Sequence, residues 1–336
     1  MQSGISKQVP TLILDRRTIA ALMTPRDYVD AVEEAFRSHA DSEVDVPLPM
    51  HIPVERGGFH AKGARLDLDR HYVAVKVNGN FPRNPGAGLP TIQGVVLLCD
   101  GDDGSLLAVM DSIEITLRRT AAATALAARF LAPEGADCVA ICGCGKQGRA
   151  QLAALAEALP LRRALVWDLA PEKATVFAQH MSKALRLDVT AVANAPEATR
   201  SSKVIVTATT ARMPFLSKDM VPQGAFVAAV GADSPEKSEL APELMAGATI
   251  VVDLLAQAVT MGDLHHAIVA GLVTTEDVHA QLGDLIAGRK PGRTSPDETI
   301  VFDSTGIALQ DVASSARIWQ RAVEEKVGLP FTFSAH

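Results

Sequence analysis

A glycine-rich segment near the middle of the chain has the residue types and spacing that bind a dinucleotide. The apolar run Cys138–Cys142 predicts a buried strand, and leucines at helical spacing follow the glycines. Glycines in this pattern permit a tight turn, close approach of the backbone to a pyrophosphate and close helix packing, and the helix N-terminus attracts phosphate. The predicted cofactor-binding residues of this glycine loop are Gly143, Gly145, Lys146, Gln147 and Gly148.

An acidic residue follows the next predicted strand. Asp168 lies twenty residues beyond Gly148, at the end of the run Ala164–Asp168. A carboxylate there accepts hydrogen bonds from the adenosine ribose and repels a 2′-phosphate, so the sequence favours NAD(H) over NADP(H). Lys173 and the pair Arg162-Arg163 keep NADP(H) open as a second possibility.

The composition is typical of a globular protein with small-molecule partners. Of 336 residues, 48% are hydrophobic and 21% are charged, which is enough apolar material for two cores. The net charge of −7 gives no basic surface for nucleic acid or for an anionic membrane. Because no uncharged run reaches the roughly 18 residues of a membrane span, and residues 1–14 lack a signal-peptide pattern, we expect a cytoplasmic protein.

The cysteines indicate neither a disulfide framework nor a metal site. Their positions, Cys99, Cys138, Cys142 and Cys144, lack the spacing of a disulfide-bonded domain, so we expect reduced thiols. Cys142 and Cys144 could supply two metal ligands at most, and no second pair follows them.

The pattern of predicted elements changes at Pro133-Glu134-Gly135. Before it, a first helix that starts at Thr24-Pro25-Arg26-Asp27 and strands at Val73–Val77 and Val95–Leu98 predict an α+β region, which ends in the helix Ile113–Leu131.

After Pro133-Glu134-Gly135, strands and helices alternate, which is typical of a parallel sheet covered on both faces. Its strands are predicted at Cys138–Cys142, Ala164–Asp168, Asp188–Val192, Lys203–Ala208, Ala225–Val230 and Thr249–Val252. The last amphipathic segment, Gly306–Lys326, is long enough to leave this sheet and pack on the first domain.

Further motifs resemble those of the ornithine cyclodeaminase and mu-crystallin family, and within it the archaeal-type alanine dehydrogenases. The resemblance covers nearly the whole chain. Besides the glycine loop, its carriers are Lys76-Val77-Asn78, Asn84-Pro85, Gly88-Leu89-Pro90-Thr91, Arg119-Thr120-Ala121-Ala122, Gly231-Ala232-Asp233-Ser234-Pro235 with Glu239-Leu240, and Phe302-Asp303-Ser304-Thr305-Gly306.

The resemblance implies an α/β fold and a division of labour between two domains. A Rossmann domain with a doubly wound parallel sheet, residues 119–305, is expected to bind NAD. An α+β domain for substrate binding and dimerisation, residues 1–118 with 306–336, is expected to make the chain a homodimer. The implied chemistry is hydride transfer between nicotinamide and the α-carbon of an amino or imino acid.

Three cationic residues are candidates for the substrate carboxylate. Arg119 and Lys76 match family positions that contact it, and Lys76 is also a catalytic candidate. The family's arginine in a Pro-x-Arg setting is absent here, where Pro47-Leu48-Pro49 stands. Lys62, in the segment Gly58–Lys62, could replace that arginine or could be a solvated strand residue. In the same segment, His60 stands where ornithine-using members present a glutamate.

The remaining candidates lie at the carboxyl ends of predicted strands. Asp233 follows the strand Ala225–Val230, and the resemblance gives it proton exchange with the substrate nitrogen; a turn-forming aspartate before Ser-Pro is the other interpretation. The resemblance places Ser304 near nicotinamide. Thr207 and Thr209 are expected to line the cofactor cleft through their backbone and hydroxyl groups. His265 and His266 are interpreted as helix-surface residues.

Three functions follow as alternatives. The leading one is a dehydrogenase or imine reductase for a small amino or imino acid, with alanine, or pyruvate plus ammonia, as the simplest substrate and pyrroline-2-carboxylate as the cyclic one. The second is an ornithine-type cyclodeaminase with recycled NAD, against which His60 argues. The third is a crystallin-like nucleotide-binding protein without turnover, which the intact Lys76, Arg119 and Asp233 disfavour.

Overall fold

The computed structural model describes residues 10–41 and 46–333. The chain divides into two compact units, which we call the terminal unit (Met1–Thr116 with Ala308–His336) and the central unit (Leu117–Ile307). None of the helices in the described residues is long and apolar enough to cross a membrane.

The bounds of the elements are as follows. The strands are β1 (Thr11–Leu14), β2 (Met50–Val54), β3 (Gly57–Asp67), β4 (His71–Asn80), β5 (Ile92–Asp100), β6 (Leu106–Asp111), β7 (Cys138–Cys142), β8 (Arg163–Trp167), β9 (Asp188–Ala191), β10 (Val204–Thr207), β11 (Phe226–Ala229), β12 (Thr249–Val252), β13 (Val278–Gln281), β14 (Ile300–Asp303) and β15 (Leu329–Phe331). The α-helices are α1 (Arg16–Leu22), α2 (Pro25–Ala40), α3 (Ser112–Leu131), α4 (Lys146–Ala158), α5 (Pro171–Leu185), α6 (Ala195–Thr199), α7 (Pro242–Ala246), α8 (Leu255–Ala258), α9 (Asp263–Val269), α10 (Leu282–Ile286) and α11 (Ala308–Glu325).

The terminal unit is a mixed sheet in the order β15-β1-β6-β5-β4-β3-β2. Its inner face, which buries Tyr72, Ala74 and Lys76 of β4, is covered by α11. The rings of Tyr72 and Trp319 meet edge to face there. The outer face carries large apolar side chains that are exposed within the chain: Ile13, Met50, Ile52, Val54, Phe59, Val75 and Val95.

The helix predicted at Thr24 is α2, and its start is confirmed. Thr24 and Asp27 form a reciprocal capping box, with Pro25 in the first turn. The sequence predicts it as the first helix, but α1, which is capped by Asp15, precedes it. A helix of seven residues is too short to show a helical period in the sequence.

The span between residues 46 and 111 contains more and longer strands than the sequence predicts. This span, all of it described, contains β2 to β6 and no α-helix, and the predicted strands are the middle parts of longer β4 and β5. Gly57, Gly58 and Gly63 interrupt the apolar pattern of β3, which hides that strand in the sequence. The unit is α+β because α1, α2 and α11 join this sheet.

The central unit is a parallel sheet in the order β13-β12-β14-β11-β10-β7-β8-β9. The chain runs outward from β7 through β8 to β9, and then returns to β10 on the other side of β7. The carboxyl ends of β7 and β10 therefore border the crevice in which doubly wound sheets bind their ligands. The predicted Rossmann class is confirmed.

The prediction for this sheet omits β13 and β14. β14 lies between β11 and β12 and is fully buried. It is only four residues long, however, and a short apolar run shows no diagnostic period. The surrounding core is mainly aliphatic, as the low aromatic content of 4% predicts.

Candidate active site

The glycine loop joins β7 to α4 at the crevice, and each of its glycines meets a different constraint. Gly143 has a φ of 109°, and a Cβ there would lie 2.5 Å from the Ala208 carbonyl oxygen. A Cβ on Gly148 would overlap the Gly143 carbonyl oxygen. Gly145 caps α4, and no atom lies within 4 Å of where its Cβ would be. The loop is therefore tightly packed against the protein at Gly143 and Gly148 and open at Gly145.

Asp168 connects the end of β8 to this loop. Its Oδ2 accepts a hydrogen bond from the Cys144 backbone N–H at 2.9 Å, and its Oδ1 accepts one from the Ala170 N–H at 3.0 Å. A carboxylate has about four acceptor sites. The half-buried Asp168 can therefore hold the loop and still accept bonds from a ligand.

Two predicted cofactor residues carry buried polar atoms without a partner. Gln147 Nε2, in the first turn of α4, and Ser304 Oγ, just after β14, have no hydrogen-bond partner among the described residues. Buried polar groups are nearly always satisfied in folded proteins. Both atoms are thus candidates for contacts with a bound ligand.

Glu239 lies at the ends of β10 and β11 and is completely buried. Its Oε1 accepts hydrogen bonds from the Thr209 N–H and hydroxyl, both at 2.6 Å. Its Oε2 accepts from the Thr207 hydroxyl at 2.7 Å and from the Gly231 N–H at 2.8 Å. Burial, together with the charge of Asp263, raises the pKa of Glu239 to about 7. The two threonine hydroxyls, expected to face the cofactor, are engaged by this carboxylate.

Two further buried acids lie behind Glu239. Asp263 Oδ1 accepts from the backbone N–H groups of Glu239 and Leu240 at 2.8 and 2.9 Å. Asp303 Oδ2 accepts from the Leu264 N–H at 2.8 Å. Burial raises the pKa of Asp263 to about 6, and burial plus the charge of Asp263 raises the pKa of Asp303 well above its usual value. Both acids therefore hold a proton more strongly than an exposed carboxyl group does.

Arg119 packs against the turn that follows β14. Its side chain is buried, and a Cβ on Gly306 would lie 2.6 Å from the Arg119 Nη1. Gly306 has a φ of 74°, and its N–H donates to Asp253 Oδ2 at 2.6 Å. Asp253 Oδ1 also accepts from the Thr305 hydroxyl at 2.8 Å. Within the central unit, Arg119 and Ser304 are thus brought to the same turn.

Asp233 lies beyond the carboxyl end of β11, on an exposed part of the central unit. Its side chain is 55% exposed, and Oδ1 lies 2.5 Å from the Lys237 Nζ, a residue four positions later. Sequence reasoning did not identify this lysine. His266, interpreted as a surface residue, is half-buried, and its Nε2 lies 2.8 Å from the Lys237 carbonyl oxygen.

Lys76 and Lys62 lie in the terminal unit. Lys76 Nζ lies 2.6 Å from Asp311 Oδ2 of α11, and both side chains are buried. Lys62 of β3 stands directly opposite Lys76 in the ladder, so both point to the inner face. Lys62 is half-buried. The structure thus pairs Lys76 with an acid that sequence reasoning missed.

No group of three or more His, Cys, Asp or Glu side chains within residues 10–41 and 46–333 is arranged to hold a metal ion. The cysteines are free thiols, and burial raises the pKa of Cys144 to about 12, with Asp168 adding to the shift.

Comparisons with known proteins agree with this architecture. The sequence model of the ornithine cyclodeaminase/mu-crystallin family matches residues 10–326. An alanine dehydrogenase of Archaeoglobus fulgidus is 36% identical over 96% of this chain and 98% of its own. An archaeal alanine dehydrogenase dimer solved with bound NAD has a TM-score of 0.92 at 35% identity, over 96% of this chain and 99% of that one. The Thermococcus litoralis Δ1-pyrroline-2-carboxylate reductase, solved with NADH and L-proline, has a TM-score of 0.90 at 32% identity, over 95% and 99% of the two chains.

Proposed function

Because the chain belongs to the ornithine cyclodeaminase/mu-crystallin family, we infer that it is an NAD-dependent oxidoreductase that acts at the α-carbon of a small amino or imino acid. The observation that carries this inference is the combination, at one switch point, of the glycine loop after β7 with Asp168 after β8. Relatives of similar length that are named alanine dehydrogenase and Δ1-pyrroline-2-carboxylate reductase support the reaction class.

The central unit fits a dinucleotide. The open space at Gly145 leaves room for a pyrophosphate at the N-terminus of α4, where Lys146 adds a positive charge. Gln147 Nε2 and Ser304 Oγ are buried atoms that would gain partners from the ligand. When bound, NAD supplies the nicotinamide ring that accepts or donates the hydride.

We assign the preference for NAD(H) over NADP(H) to Asp168. Its carboxylate accepts two backbone hydrogen bonds and keeps capacity for ribose hydroxyls. Its negative charge disfavours a 2′-phosphate at the same position.

We propose that three basic side chains bind the substrate carboxylate. Arg119 presents a planar guanidinium, which suits bidentate binding of a carboxylate. Lys76 carries a buried ammonium that Asp311 holds in place. Lys62, on the same face of the sheet, is proposed to take the place of the missing arginine.

We assign the proton on the substrate nitrogen to Asp233. Reduction of an imine adds a hydride to carbon and leaves a nitrogen that must carry or receive a proton. The carboxylate of Asp233 can stabilise the cationic imine, and after hydride transfer it can take a proton from water and pass it to the amine nitrogen. The Lys237 Nζ lies 2.5 Å from Oδ1 of this carboxylate and can orient it.

We further propose that the chain is a homodimer through the outer face of the terminal-unit sheet. Seven large apolar side chains are exposed on that single face, which is more than scattered surface residues explain. The archaeal relative solved with NAD is a dimer. Measurement of the molar mass in solution tests this proposal.

An absorbance assay at about 340 nm tests the reaction. Purified protein is mixed with NADH or NADPH and with a panel of 2-keto acids plus ammonia and cyclic imino acids. We expect NADH consumption with at least one small substrate and slower consumption of NADPH. Release of ammonia from ornithine without net change in NADH would instead identify a cyclodeaminase. The absence of both signals would indicate a nucleotide-binding protein without turnover.

A further inference from the structure

We propose that Glu239 is a positioning residue of the cofactor site, whose carboxylate fixes the ends of β10 and β11 against the glycine loop. The proposal rests on the assignment of NAD to the central unit. Glu239 itself is completely buried and touches neither cofactor nor substrate.

The carboxylate of Glu239 accepts hydrogen bonds from the backbone just beyond the last residues of two neighbouring strands. β10 ends at Thr207 and β11 at Ala229. The N–H groups of Thr209 and Gly231, just beyond those ends, donate to the two oxygens of Glu239, one to each. A buried backbone N–H without a partner is costly, so one side chain stabilises both ends.

The end of β10 lies directly behind the glycine loop. A Cβ on Gly143 would come within 2.5 Å of the Ala208 carbonyl oxygen and within 3.2 Å of the Thr209 Cγ2. The Ala208 N–H also donates to the Cys142 carbonyl at 2.8 Å. A shift of Thr209 would therefore be transmitted to the turn that receives the pyrophosphate.

The backbone of Glu239 is fixed as firmly as its carboxylate. Its N–H donates to Asp263 at 2.8 Å, and its carbonyl accepts from the N–H groups of Phe215 and Leu216 at 2.9 and 3.0 Å. A Cβ on Gly231 would lie 2.5 Å from the carboxyl group. The side chain thus has one position available, as a positioning role requires.

The ionised form of Glu239 can accept all four of these hydrogen bonds. Protonation would turn one accepting oxygen into a donor that faces a backbone N–H or a hydroxyl. The titratable groups that face Glu239 from other elements are Cys142 on β7 and Asp263 on α9, with Asp303 of β14 beyond Asp263. Because the pKa of Glu239 is raised to about 7, its charge changes within the working pH range.

The test is a fluorescence titration with NADH at several pH values. Glu239→Gln has the shape of the protonated form, and its amide nitrogen faces at least one donor. We expect its Kd for NADH to be about tenfold or more above that of the unaltered protein at pH ~8. We expect the Kd of the unaltered protein to rise towards that of the variant as the pH falls to ~6, while the Kd of the variant stays constant.

Two further variants separate positioning from a general loss of structure. Glu243→Gln removes the same charge from an exposed position of α7 and is expected to leave NADH binding and its pH dependence unchanged. Thr207→Val removes one donor to Glu239 from a side chain that is fully buried, and is expected to raise the Kd about threefold or more.

The proposal is overturned if folded Glu239→Gln, verified by circular dichroism, binds NADH within twofold of the unaltered protein at pH ~8 or keeps its pH dependence. If that variant does not fold, Thr207→Val carries the test, and a Kd within twofold overturns the proposal. If the unaltered protein itself binds no NADH, the cofactor assignment fails, and this proposal fails with it.

Discussion

The two units stabilise their buried charges in different ways. In the terminal unit, the Lys76 ammonium is paired with the opposite charge of Asp311 at 2.6 Å. In the central unit, the donors to Glu239 are all neutral, and the charge of Asp263 adds to burial in raising the pKa of both Glu239 and Asp303. An ion pair keeps its charge over a wide pH range, whereas acids held by neutral groups titrate near neutrality. The central unit therefore contains buried acids whose charge can change near neutral pH.

Breaking the ion pair gives the largest expected effect on stability. Asp311→Ala leaves the Lys76 ammonium buried without its acid, which should lower the free energy of unfolding by about 3–5 kcal/mol. The double variant Lys76→Met with Asp311→Leu should recover most of that loss, because it removes both charges. Urea denaturation measures both, and a loss below about 1 kcal/mol in Asp311→Ala would show that the pair is not a stabilising feature of the terminal unit.

An exposed ion pair in the central unit should behave in the opposite way. Asp233→Asn removes the charge that pairs with Lys237 at a solvent-exposed position, so its effect on the free energy of unfolding should stay below about 1 kcal/mol. The kcat should nevertheless fall by about 10²–10⁴-fold, the usual range for a general acid-base group, with NADH affinity unchanged. Steady-state kinetics measures this, and turnover close to normal would mean that Asp233 only shapes its turn.

Asp168 offers a carboxylate at the edge of the central unit that is held by backbone donors but remains half-exposed. Asp168→Ser should weaken the binding of NADH by about 1.5–3 kcal/mol, because the hydrogen bonds from the ribose to a charged carboxylate are lost. The binding of NADPH should be weakened much less, because the repulsion between the carboxylate and the 2′-phosphate disappears as well. Titration with both cofactors measures the difference, and an equal loss for the two would contradict the assignment.

The smallest effect is a gradual dependence of stability on pH, with opposite signs in the two units. The pKa of Glu239 is raised from 4.5 to about 7, so its contribution to stability is complete below about 4.5 and declines as the pH rises through 7. Hydrogen bonds from Arg321 lower the pKa of Asp27 in the terminal unit, so that contribution is present above about 3.8 and declines towards acid.

Unfolding free energies measured across the pH range separate the two acids. Glu239→Gln should flatten the decline between pH ~5 and ~8, whereas Asp27→Asn should leave that window unchanged and flatten the acid limb. A decline at neutral pH that persists in Glu239→Gln would assign it to the Asp263 and Asp303 pair instead.

The local parts of this molecule could be predicted from its sequence. The glycine loop, the cap of α2 and the strands around β7 depend on residues that are close in sequence, so their spacing can be recognised without the structure. Several other strands could not be predicted in the same way. β14 and β15 have four and three residues, and β3 is interrupted by glycines, so only partners far along the chain make them strands.

The candidate site shows the same limit. Gly143 and Asp168 were recognisable because a motif has a fixed spacing. The carboxylates that hold the site together, Glu239 and Asp311, depend on donors 32 and 235 positions away, in Thr207 and Lys76, and no sequence pattern announces such a distance. Glu239-Leu240 contributed to the family resemblance, but its physical role became visible only with the fold.

The position of α11 has a consequence for the order in which the protein can fold during synthesis. The inner face of the terminal-unit sheet is covered by a helix that the ribosome delivers only after the whole central unit. Until then, β3 and β4 must wait with their apolar side chains uncovered and with Lys76 lacking Asp311. The central unit, whose contacts lie within one continuous stretch, can mature first. The terminal unit is therefore the late and aggregation-prone step, and chaperone dependence should concentrate on its strands rather than on the nucleotide-binding half.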